Sequence, residues 1–103
     1  MRIIKKITEQ ISEELCDAEK YIKCAMNQKS DFPQLADVYY KLSNEELGHA
    51  NALHDQAVRL IDEWKKKMEK EPPDYMKEMW NEEHDEFIEE MAEIKVMIDM
   101  YKK

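Results

Sequence analysis

The stretch "SNEELGHANALH", Ser43–His54, holds Glu46 and His49 three residues apart in a run without proline. That spacing is close to one helical turn, so the two side chains share a face. An acid and a histidine on the inward side of a helix need a reason. A buried carboxylate without compensation is strongly unfavourable, and a bound cation is one way to supply it.

The pattern extends outward from Glu46 and His49. Leu35, Tyr39, Leu42, Glu46, His49, Leu53, Ala57, Leu60 and Trp64 recur at steps of three and four, the seam of one long helix. An upstream seam reads Ile4, Ile7, Ile11, Glu14, Ala18, Tyr21, Ala25. A downstream seam reads Met76, Trp80, His84, Phe87, Met91, Ile94, Ile98, Tyr101. Lys29-Ser30-Asp31-Phe32-Pro33 separates the first two, with Ser30 or Asp31 placed to cap a helix and Pro33 to open it. Glu71-Pro72-Pro73-Asp74 separates the last two, because Pro72 pushes Glu71 out of helical geometry. The expected helices span about residues 2–29, 32–70 and 74–101 of a single all-α domain, 1–103.

The composition agrees. The chain is 39% charged and 43% hydrophobic, with one Gly and three Pro, as long amphipathic helices require. Its net charge of −8 repels phosphate backbones and anionic lipid, so neither nucleic acid nor a membrane surface is an expected partner. Lys65-Lys66-Lys67 reads as a solvated face. No segment has the apolar length of a signal peptide or a membrane span. Cys16 and Cys24 lie eight residues apart on one expected helix. That places them ~12 Å apart, too far for a disulfide. Free thiols point to a reducing, cytoplasmic compartment, and no Cys-x-x-Cys is present to hold a rubredoxin-like iron.

A short first turn makes helices 1 and 2 antiparallel neighbours. With the turn centred on residue 30, Glu14 and Glu46 stand level, each 16 positions away, and Tyr21 stands level with Tyr39. Reflection about the second turn brings residue 97 to the height of Glu46 and His84 near Arg59, so helix 3 offers no donor to the cluster. One chain then supplies Glu, Glu and His. A carboxylate-bridged di-iron site in a four-helix bundle uses twice that set. Two copies about a two-fold axis would supply it, which makes a homodimer the expected partner arrangement, with higher assembly open.

Glu14-Leu-Cys-Asp-Ala-Glu-Lys-Tyr21 resembles the first-helix motif of ferritin-like and rubrerythrin-like proteins. Glu45-Glu46-Leu-Gly-His49-Ala50 resembles their second-helix Glu-Glu-x-x-His-Ala motif, and the likeness covers about residues 7–60. A hairpin carrying half the ligands is similar to the encapsulated ferritins, in which dimerisation rebuilds the four-helix di-iron centre. The resemblance implies that Glu14 and His49 are terminal ligands, that Glu46 bridges the metals, and that the activity is ferroxidase-type Fe(II) oxidation in iron handling or storage. It leaves a protein-shell host and an electron donor unspecified. Carboxylates and imidazole suit iron, with manganese also possible. Other readings are rubrerythrin-like peroxide reduction with an external donor, and a metal-free helical interaction protein that docks through helix 3.

Tyr21 and Tyr39 are read as core residues, or as hydrogen-bond donors to a ligand carboxylate. His54 faces another helix or water, and His84 is an interfacial histidine or part of a second metal site. Glu13, Asp17, Glu19 and Glu45 form a solvated face or an acidic route for Fe(II). The methionines are packing. Gly48 either permits close approach of a partner helix or has no role.

Overall fold

The computed structural model describes residues 2–103 and contains three helices, α1 (Arg2–Gln28), α2 (Pro33–Met68) and α3 (Asp74–Lys102). The first turn differs from expectation in its capping. Phe32 is the N-cap of α2, and no side chain caps the helix. The Phe32 N–H still reaches back to the Gln28 carbonyl at 2.8 Å, which leaves Ser30 and Asp31 inside the turn. Pro33 opens α2, where its missing N–H costs no hydrogen bond. At the second turn Glu69 closes α2 in the left-handed region, φ 53°. Lys65, Lys66 and Lys67 fill the last turn and oppose its partial negative charge. The Pro73 carbonyl then accepts from Met76 and Lys77 as α3 begins.

The molecule is a rod of 57 × 18 × 17 Å, built on the α1–α2 hairpin. Small side chains bring the hairpin backbones close. Ala18, Ala25, Ala36, Ala50 and Ser43 are fully buried, and Ser43 Oγ donates to the Ala18 carbonyl at 2.7 Å.

The buried line is turned slightly from the expected seams. Leu15 and Ile22 fill the core on α1, and Ser43, Leu47 and Ala50 on α2. Glu14, Tyr21, Tyr39 and Glu46 are only half-buried, while His49 and Leu35 are exposed. The cause is α3, which packs chiefly on α1 beside Thr8, Ser12 and Leu15 and rotates the core toward that flank. Glu14 lies about 160° around α1 from Ser12, on the side left open.

The register of α3 corrects the reflection. His84 meets His54 and not the level of Arg59. The chain leaves helical geometry over five residues, 69–73, and α3 runs along α1 instead of folding tightly back on α2. Only the second half of α3 has fully buried residues, Met91, Ile94, Ile98 and Tyr101. Its far end is tied down by Tyr101, whose hydroxyl donates to Asp37 Oδ1 at 2.9 Å and whose ring stacks on Tyr40. Lys29 lies over the same ring and donates to the Tyr101 carbonyl. Among the described residues no helix is long and apolar enough to cross a membrane. Both cysteines are free.

Candidate metal centre

Antiparallel packing sets the level of the site. The hydrogen bond from Ser43 to Ala18 and the stacked rings of Tyr21 and Tyr39, 6.2 Å apart, fix α1 against α2. Glu14 and Glu46 then face each other across the hairpin, as the register requires. One ligand atom from each of Glu14, Glu46 and His49 lies within 4.8 Å of the others. His49 Nδ1 is 3.4 Å from Glu14 Oε2 and 3.8 Å from Glu46 Oε1. Ligands held ~2.1 Å from one ion sit roughly 3–4 Å apart, so small side-chain rotations bring all three to one cation.

The electrostatics favour a cation. Glu46 is pushed up to about 7 from 4.5, first by its hydrogen bond with Glu14, then by burial and the Glu14 charge. Asp17 adds to the rise and His49 opposes it. Two carboxyls in one place therefore share a proton near neutral pH, and a divalent ion can take its position. Carboxylate oxygens and an imidazole make a donor set that could hold a metal ion.

Exposure is graded across the three side chains. Glu46 keeps 18% of its side-chain surface in solvent, Glu14 27% and His49 59%. The cluster is thus a rim feature, open on the flank away from α3. Half-buried Tyr39, Leu42 and Leu53 and exposed Leu35, Val38 and Ile3 lie along α1 and α2 near this open side.

Tyr21 is engaged through its ring, stacked on Tyr39, and makes no bridge to the carboxylates. Glu19 pairs with Lys23, and Cys16 is exposed. A Cβ at Gly48 would meet nothing within 4 Å, so this chain's own packing does not demand glycine there. A cavity of about 390 Å³ lies toward the end of the rod away from the first turn, between Ile4, Ile61, Trp64, Met76 and Trp80. It is separate from the carboxylates.

One constellation was not legible in the sequence. His54 Nε2 lies 3.0 Å from His84 Nδ1, with Trp80 and Phe87 stacked on His54. Burial, then the neighbouring His84, hold His54 below the usual histidine range. The missing signal was the register of α3, which the length of the second turn had to supply.

No family model, curated protein or solved structure matches this chain.

Proposed function

We propose that this protein is a ferritin-like iron-oxidising protein whose metal centre is completed by a second copy of the chain. The observation that carries the reading is the meeting of Glu14, Glu46 and His49 at one level of the hairpin, with a proton shared where a cation fits. Hard carboxylate oxygens and one imidazole per chain suit Fe(II), with Mn(II) the alternative.

In the proposed dimer the open flanks of two hairpins pack together, and two sets of ligands close on two ions. Leu35, Val38 and Ile3, 44–51% exposed in the single chain, would be covered there. By the resemblance to the ferritin-like motifs, Glu46 would bridge the ions, with Glu14 and His49 as terminal ligands; Glu46 is also the most enclosed of the three. Two ferrous ions supply two electrons, which with two protons convert O2 to hydrogen peroxide. The chain's own part is to set the spacing of the ions, to release the proton shared by Glu14 and Glu46, and to exclude bulk water once dimerised.

Glu46→Ala should abolish Fe(II) oxidation followed by absorbance of the ferric product. Unchanged oxidation sinks the assignment. Metal analysis of protein purified without chelator separates this reading from a metal-free interaction protein. That second reading draws on the apolar residues α3 leaves outward, Ile88, Val96 and Met100. Comparing O2 with H2O2 as oxidant separates ferroxidase from peroxide-reducing chemistry.

A further inference from the structure

We propose that His54 and His84 form a second metal site, a two-imidazole chelate for a late first-row divalent ion of the Ni2+ or Cu2+ kind. It is independent of the carboxylate centre. His54 comes from α2 and His84 from α3, and their facing nitrogens are 3.0 Å apart. The ring centres are 5.0 Å apart and the ring planes are inclined by 27°. A hydrogen bond between two neutral imidazoles needs one donor and one acceptor nitrogen, and an ion can replace the shared proton if the donor ring changes tautomer.

The donor atoms favour late first-row ions, for which imidazole nitrogen is a preferred ligand. With each nitrogen ~2.1 Å from the metal, a 3.0 Å separation subtends about 90° at the ion, the cis angle of octahedral and tetragonal coordination. Among the described residues no carboxylate or thiol joins this pair in a three-donor group, so water fills the remaining positions. Nitrogen donors without carboxylate separate this site chemically from the oxygen-rich cluster at Glu14 and Glu46.

The site has a structural consequence. The first half of α3 has no fully buried residue and rests on half-buried Trp80, His84 and Phe87. An ion held by His54 and His84 would staple that half of α3 to α2.

The chain has three histidines, so His49→Gln leaves only the proposed pair. Unfolding of the full chain is measured with and without Ni2+ for His49→Gln and for the double variants His49→Gln/His54→Gln and His49→Gln/His84→Gln, so that the imidazole of the carboxylate cluster is absent throughout. His49→Gln should gain stability, its folded-to-unfolded ratio rising about a hundredfold at an ion concentration about 100 times the dissociation constant. The double variants should lose that gain. Equal stabilisation in His49→Gln/His84→Gln, or none in His49→Gln, overturns the proposal. Electron paramagnetic resonance of Cu2+ bound to His49→Gln gives a test that does not need the His54 or His84 variants to fold. Coupling to two imidazole nitrogens supports the chelate, and coupling to one or none overturns it.

Discussion

Replacing Glu46 by Gln keeps the side chain's shape and removes its charge, which isolates the energetics of the paired carboxylates. In the metal-free protein Glu46 is pushed from 4.5 up to about 7, chiefly by its hydrogen bond with Glu14. A carboxyl raised on folding adds stability below its unfolded pKa and loses it as pH rises through the folded one. The window therefore runs from 4.5 to about 7. At about 1.4 kcal/mol per tenfold change in the protonation equilibrium, the displacement amounts to roughly 3 kcal/mol. Glu46 retains 18% of its side-chain surface in solvent, and the charged cluster stands at the rim. Screening there reduces the net effect to about 1–2 kcal/mol. Glu46→Gln should stabilise the metal-free protein by that amount near pH 8 and by almost nothing near pH 4. Urea unfolding in the presence of chelator measures it. An equal difference at both pH values, or a loss of stability near pH 8, would refute the reasoning. Adding Mn2+ near pH 8 should reverse the order, because only the wild type offers the ion two ionised carboxylates, whose mutual repulsion the ion relieves.

Other parts of the fold make separate predictions. His54 is held below its usual pKa of 6.5 by burial and by His84, so its contribution is present above pH 6.5 and fades as pH falls through the lowered folded value. Metal-free protein should accordingly loosen the first half of α3 in mild acid, read as increased amide exchange around Trp80 before exchange increases around Ile94. Leu15 is 2% exposed at the centre of the core, and Leu15→Ala should lower stability by about 2–5 kcal/mol in chemical denaturation. Gly48 has open space around it, and Gly48→Ala should stabilise the helix by about 1 kcal/mol. A loss of stability there would mean that another chain packs on this position.

The hairpin and the level of its polar residues were legible because they depend on two quantities a sequence displays, helical period and the length of a short turn. Glu14 and Glu46 meet, and Tyr21 stacks on Tyr39, at the heights those two quantities set. Which residues lie innermost was less legible. Steps of three and four generate adjoining seams one residue apart, and on α1 the seating of α3 beside Leu15 chooses it over Glu14. The partner of His84 was hidden for a related reason. A turn of five non-helical residues lets α3 slide along α1, and reflection about its midpoint then misplaces every residue on the third helix. The capping of α2 shows the same limit locally, since Ser30 and Asp31 carry suitable side chains but the backbone turns through Phe32.

The central claim is that Glu14, Glu46 and His49 are half of a metal centre. Native mass spectrometry of His54→Gln loaded with Mn2+ tests it most directly, because that variant leaves only the carboxylate cluster to bind metal. The account predicts a species of two chains carrying two ions, lost in Glu46→Ala. A single chain that retains bound metal at this cluster without a partner would contradict it.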